Sequence, residues 1–326
     1  MSNTITKKGY FIFSLDTELA WGYYDRFHEK MFSENGKKER AAVHRLLEIF
    51  DEFNITATWA IVGHLFYEKC ENCEVCPILE WKNKYRSFDE IYETDNQLWY
   101  GMDIINLLQT KGSRHEIAFH GYTHKVFSED MMTGQEAKIE IQEWQKIAGR
   151  KKITPYSIVF PRNRVGHLKT FKDAGYICYR GDELHPKDYK IPLLGKALNL
   201  IDLVLQIRMP QVYEPIIDPE GLVNLPSSRW LFGMNRKIEA VFDTFNLHLL
   251  RVRKLVRAVK MAAREGKTIH IWAHPEEFKT EKDFDKLRFL LNTVSNEIKK
   301  GAIQSIGMAE LAKMVVKQQG NANNGC

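Results

Sequence analysis

The sequence predicts a parallel α/β protein, a closed or nearly closed (β/α) barrel, and three observations carry that expectation. Short apolar segments alternate with helical ones along all 326 residues. Nearly every apolar segment stops on a polar or ionisable residue. No linker rich in Pro, Gly or Ser divides the chain. Strands separated by helices build βα units on a parallel sheet, and at least six such units in one chain fit a barrel better than an open two-domain sheet.

The strand candidates, in order, are Tyr10 to Asp16 (YFIFSLD), Thr56 to Gly63 (TATWAIVG), His115 to Gly121 (HEIAFHG), Ser157 to Arg162 (SIVFPR), Tyr176 to Gly181 (YICYRG) and Thr268 to His274 (TIHIWAH), with IQSIGM a further one. Between the first two, ERAAVHRLLEIFDEFN places Val43, Leu46, Leu47, Phe50 and Phe53 at helical spacing. EAKIEIQEWQKIAG ends on a glycine stop, and HLKTFKDAGY repeats the helix, Gly, strand grammar. Closing helices are expected over about 281–318, and the tail KQQGNANNGC reads as frayed. The whole chain, 1–326, is one domain with insertions at about 65–98 and 182–220, and loops of that length in a compact barrel usually form lids or substrate walls.

Composition narrows the function classes. A net charge of +5 is mild for a dedicated nucleic-acid binder, so none is expected as partner. The basic run RVRKLVRAVKMAAR (Arg251 to Arg264) reads as a solvated helix face, with an anionic glycan carrier or membrane surface as the alternative. No run approaches the roughly 20 apolar residues that span a bilayer, and the N-terminus lacks the pattern of a secretory signal, so a cytoplasmic protein is expected. Cys70, Cys73 and Cys76 form a C-x2-C-x2-C cluster without a fourth ligand, so they read as reduced thiols in a loop before a metal site.

In a (β/α) barrel the reactive groups gather at the carboxyl ends of the strands. Here those ends carry Asp16 and Glu18, His120 with His124 just beyond, Arg162 and Asn163, and His274. One terminal His or Asp is ordinarily a structural polar group, but four strand ends agreeing is harder to dismiss. His120 and His124 are four apart and can converge on one cation; two His and a carboxylate leave positions open for water and for a carbonyl oxygen, which suits a hydrolase.

In ordered pieces the chain resembles the polysaccharide deacetylases of the NodB-homology type. The pieces are SLDTE for the acidic motif, HGYTH for the His-x3-His motif, FPRN for the arginine-bearing motif and IWAH for the late histidine motif, spread over about residues 10 to 275. TATWAIVG resembles the second strand of that family, and LWYGMDII, VFPRNRVGHL and GLVNLPSSRW resemble a branch associated with surface-polysaccharide biosynthesis. The resemblance implies a deformed (β/α) barrel of about seven parallel strands. It also implies a divalent ion, Zn2+ by preference, and removal of an N-acetyl group from an amino sugar by metal-activated water. On this resemblance His120 and His124 are metal ligands, Asp16 is the general base, His274 protonates the leaving amine, and Arg162 orients the base.

Two departures matter. The family commonly has adjacent aspartates, whereas Thr17 follows Asp16 here; residues i and i+2 share a face of an extended strand, so Glu18 is expected as the metal carboxylate, with direct ligation by Asp16 as the rival. Pro precedes Arg in FPRN, against the usual order, so Asn163 or Arg164 can share the role of Arg162, and Asn163 can also reach substrate. Trp21, Trp99, Tyr100 and Trp230 are candidates to stack on sugar. His270 alternates onto the face of His274, with a hydrogen-bonded strand histidine as the plainer reading. The alternatives are hydrolysis of another small amide or ureide and a catalytically silent glycan-binding barrel; self-association is left open.

Overall fold

The computed structural model describes residues 7–25, 31–69, 96–112, 114–184, 211–232, 244 and 249–323. Its strands are β1 (Gly9–Thr17), β2 (Ala57–Ile61), β3 (Glu116–Phe119), β4 (Ser157–Val159), β5 (Cys178–Arg180), β6 (Ile216–Ile217), β7 (Val223–Asn224), β8 (Arg229–Trp230), β9 (Thr268–Ala273) and β10 (Ile303–Ser305). The helices are α1 (Lys37–Phe53), α2 (Met102–Lys111), α3 (Gly134–Arg150), α4 (Leu168–Asp173), α5 (Leu250–Glu265), α6 (Glu281–Lys299) and α7 (Met308–Asn323). Cys70, Cys73 and Cys76 and most of the two expected insertions lie outside the described residues.

One sheet runs β6-β7-β5-β4-β3-β2-β1-β9-β8, with β10 pairing the start of β1. Every pairing is parallel except β6 with β7. The sheet is curled. Asp16 on β1 and Arg180 on β5 are four strand spacings apart, about 19 Å on a flat sheet, yet they are in hydrogen-bond contact. The gap between the two ends of the sheet is bridged by one short segment. Val223 and Asn224 pair β5, the Leu225 N–H donates to Tyr179 O, the Ser228 N–H donates to His270 O, and Arg229 and Trp230 pair β9. The result is a deformed (β/α) barrel.

The core follows from the periodicities. β1 buries both faces, as a parallel strand covered by helices must, and α1 turns Val43, Leu46, Leu47 and Phe50 inward. α3 starts on a capping box of Thr133 and Glu136 and is tied to the sheet by Trp144, whose Nε1 donates to Ile61 O at 2.8 Å. α5 buries Val252, Leu255, Ala258, Val259 and Ala262 and exposes Arg253, Arg257, Lys260 and Arg264, so the basic run is a solvated helix face. α7 runs to Asn323, beyond the point where fraying was expected, because Lys317, Gln318 and Gln319 are good helix formers and exposed Gly320 costs only about 1 kcal/mol. The two-residue strands β6, β7 and β8 are too short to leave a period in the sequence. Among the described residues no helix is long and apolar enough to cross a membrane.

Candidate metal centre and active site

The carboxyl ends of β1, β3, β4, β5 and β9 meet at one end of the barrel. There Glu18 Oε2 lies 3.0 Å from His120 Nε2 and 2.7 Å from His124 Nε2. These three residues are buried, and among the described residues they are the group of ligating side chains close enough to hold one ion.

Each is placed by its surroundings. Glu18 follows β1 and precedes a 3-10 turn (Leu19–Tyr23) in which Leu19 has φ 47°. A Cβ on Gly22 would stand 1.8 Å from Glu18 Oε1, so only glycine leaves room for this carboxylate. His120 is the first residue past β3. His124 lies four further on with φ 59°, after a reversal at Gly121 (φ 77°). That loop hangs from α3: the buried Glu140 carboxylate accepts hydrogen bonds from the Tyr122 and Thr123 N–H groups at 2.8 and 3.0 Å and from the Thr123 hydroxyl. Leu19, His124, Arg162 and Asn163 all have positive φ at strand ends around the site. Such conformations cost on the order of 1–3 kcal/mol each and persist where function holds them.

The donor set fits a divalent cation. His120 Nδ1 donates to Val159 O at 2.8 Å, a carbonyl that can only accept, which leaves Nε2, 3.0 Å from Glu18 Oε2, as the atom that faces an ion. His124 Nε2, though near Oε2, has no aligned hydrogen bond, and its Nδ1 has none either. Deprotonated, these ring nitrogens and the carboxylate would turn lone pairs on one another in a buried space, a repulsion that a cation among them relieves. Burial raises the Glu18 pKa, but His124 and His120 outweigh it and hold the carboxyl well below its usual range, so it is ionised, as a metal ligand must be. Burial lowers the His124 pKa, against the pull of Glu18.

Asp16 faces a different partner. Both its oxygens lie in the fork of Arg180, Nη1 to Oδ1 and Nη2 to Oδ2 at 2.6 Å each. Burial pushes the Asp16 pKa up, and the Arg180 guanidinium, together with His120 and His274, more than reverses this. Arg180 also donates to Asn163 Oδ1 at 2.7 Å and to Ser14 Oγ at 3.0 Å, and its Cζ lies 4.6 Å from the centre of the Trp272 ring. Thr17 points away and bonds Leu15 O. His274 Nε2 is 3.7 Å from Glu18 Oε1, and its Nδ1 is 3.1 Å from Glu277 Oε2. Burial lowers the His274 pKa, but Glu277 and Glu18 raise it well above the ordinary value, so the ring carries a proton at neutral pH. Glu277 is fixed in turn by the His274 N–H and by Trp230 Nε1.

Other expected residues land elsewhere. Arg162 is at the rim, exposed, with Nη2 on Asp25 Oδ1 at 2.7 Å; the arginine on Asp16 is Arg180 instead. A left-handed turn at Arg162 (φ 55°) turns that side chain outward, whereas the extended end of β5 points Arg180 into the barrel. Arg164 faces Asp130 in solvent. Trp21, Trp99 and Tyr100 are 0%, 0% and 2% exposed: Trp21 donates to Trp99 O and packs against the His64 and Trp99 rings, so its faces are covered. Two aromatic rings stand beside His274: buried Trp272, with ring centres 5.4 Å apart, and half-buried Trp230, at 6.5 Å and stacked on Trp272. Sequence reasoning passed over Arg180, Glu140, Glu277 and Gly22. Arg180 alone left a signal, as an ionisable residue closing the YICYRG strand.

No family description matches the chain, and no curated relative does. Solved structures do. A protein from Mycobacterium smegmatis assigned as a polysaccharide deacetylase aligns over 98% of this chain and 94% of its own, at TM-score 0.57 and 15% identity. A protein from Pseudomonas aeruginosa PAO1 with the same assignment aligns over 93% and 89%, at 0.55 and 13%. Puue allantoinase aligns over 93% and 88%, also at 0.55 and 13%. Likeness at this identity speaks to the fold, and this fold carries more than one reaction. The chain has the fold of the polysaccharide deacetylases that its motifs resemble.

Proposed function

We propose that the protein is a metal-dependent hydrolase that removes the N-acetyl group from an amino sugar in a glycan or glycan precursor. The observation that carries this reading is the convergence of Glu18, His120 and His124 beside a separately held carboxylate, Asp16, and a histidine, His274, whose Nδ1 faces Glu277. Glu18, His120 and His124 would hold the ion, Zn2+ by preference for a set of two imidazoles and a carboxylate. Such an ion, when bound, polarises a carbonyl oxygen and lowers the pKa of its water towards about 7.

The remaining work falls to the chain. Asp16, kept ionised by Arg180, accepts the proton of the attacking water. His274 gives the proton on Nε2, the ring nitrogen turned towards Glu18, to the departing nitrogen, which cannot leave as an amide anion, and Glu277 beside Nδ1 favours the charged ring until then. Trp230 offers the apolar ring beside His274 on which a sugar can stack. The motif resemblance and the deacetylase-assigned neighbours support an acetylated sugar as substrate.

The test is metal analysis of the purified protein combined with acetate release from a panel of N-acetylated sugars, nucleotide sugars and glycans. Stoichiometric metal with metal-dependent acetate release is the expected result. Release of ammonia or formate from small amides or ureides, without acetate from any sugar, would favour the second reading, a small C–N hydrolase, for which the allantoinase neighbour is the supporting observation.

A further inference from the structure

The Arg180 fork is itself held from behind. His270 Nδ1 is 3.1 Å from Leu225 O, His270 Nε2 is 2.9 Å from Ser14 Oγ, and Ser14 Oγ is 3.0 Å from Arg180 Nη1. Ser14 and His270 are fully buried and Arg180 is 1% exposed. These residues come from β1, β5, β9 and the segment that closes the barrel, so no single element creates the line.

We propose that Ser14 and His270 are positioning residues of this active site: a directional line of hydrogen bonds from Leu225 through His270 and Ser14 keeps the Arg180 guanidinium in the one orientation that forks Asp16. The direction follows from donor chemistry. Leu225 O can only accept, so His270 carries its proton on Nδ1, leaving Nε2 as an acceptor. The Ser14 hydroxyl must then donate to Nε2, which turns its lone pairs to Arg180, a group with donors only. A proton on Nε2 would reverse the Ser14 hydroxyl and set O–H against N–H. Burial and the nearby Arg180 charge hold His270 at a pKa of about 3, so the ring stays neutral. Both N–H bonds of Nη1 are used, one on Asp16 and one on Ser14, and both of Nη2, one on Asp16 and one on Asn163. Ser228 fixes the strand beneath: its N–H donates to His270 O and its Oγ accepts from the His270 N–H. Removing the Ser14 hydroxyl leaves one guanidinium N–H and one imidazole nitrogen unpaired, and the fork can swing.

Two measurements test this, and only the second rests on the deacetylase reading. In 15N-edited spectra of the wild type the four Arg180 Hη protons should be separately resolved, because rotation about the guanidinium bonds is blocked. In Ser14→Ala they should merge, and in Ser14→Thr stay resolved. Four resolved signals in folded Ser14→Ala overturn the proposal whether or not an activity is known. In the acetate-release assay, Ser14→Ala should lose about 10- to 100-fold in kcat, the range typical of residues that orient a site's working groups, with KM and bound metal within about twofold of wild type. Ser14→Thr should recover most of the loss. A loss of kcat that only follows loss of metal or of folded protein overturns it. So does Ser14→Thr as impaired as Ser14→Ala. A wild type inactive on every acetylated sugar counts against the deacetylase reading and leaves the spectroscopic result to decide this one.

Discussion

Arg180 and Asp16 lie at the ends of β5 and β1, four strands apart in the sheet, and meet in a two-point contact at 2.6 Å for each pair. Both are buried, and a buried pair broken from one side costs about 3–5 kcal/mol, because the remaining charge has neither water nor partner. Arg180→Met is therefore expected to lower the denaturation free energy by about that much. Arg180→Lys keeps the charge but cannot fork, so it should remain folded and lose turnover by 100-fold or so, as displaced catalytic groups do. Urea titration and acetate release measure the two effects.

Glu18 and Asp16 should separate cleanly by substitution. Glu18→Gln or His120→Ala is expected to lose bound metal and activity together, whereas Asp16→Asn should keep the metal and lose only turnover. Metal content per chain decides it. Glu18→Gln with full metal beside Asp16→Asn without it would show the two roles exchanged.

Gly22 reports on the same carboxylate without touching its charge. In Gly22→Ala the new methyl occupies the place of Glu18 Oε1 and must push the side chain aside. Metal affinity is expected to fall at least tenfold, by analogy with the loss of groups that orient ligands. Circular dichroism should show the secondary structure unchanged.

Stability should fall on the acid side of neutrality through two neutral histidines, buried His270 and half-buried His115. Burial and neighbouring arginines lower His270 to about 3 and His115 to about 4. Their unfolded values are near 6.5, so the unfolded chain binds more protons as pH drops. The contribution is complete above pH 6.5 and is lost as pH falls, towards about 4 for His115 and about 3 for His270. Each adds a slope of up to about 1.4 kcal/mol per pH unit within its window. His115 is at the opposite end of the strand from His120, so His115→Gln should remove its share of the slope between pH 6.5 and 4 and leave activity alone. Denaturation at a series of pH values would show it.

Much of the candidate site could be nominated from the chain because barrel strands present their last residues to a common mouth. Ending on Asp16, His120 or His274 is then enough to nominate a residue. The reading of Glu18 rested on the two-residue period of an extended strand, and Thr17 does turn away. The same logic misplaced Arg162, since a left-handed turn after β4 reverses the side-chain direction that alternation presumes. Trp21, Trp99 and Tyr100 were unreadable for another reason: an aromatic in a core and one lining a mouth have the same composition and spacing.

By itself the sequence determined the alternation of strands and helices, the faces they bury and the polar residues at the strand ends, because each depends on neighbours a few residues away. Which arginine meets Asp16 was decided only in three dimensions. Arg180 and Asp16 are separated by 164 positions in the chain and four strands in the sheet, and it is the curl of the sheet, closed by residues 223–230, that removes the distance between them. Convergence of Glu18, His120 and His124 on one point is of the same kind, set by room at Gly22, the reversal at Gly121 and the grip of Glu140 on the loop.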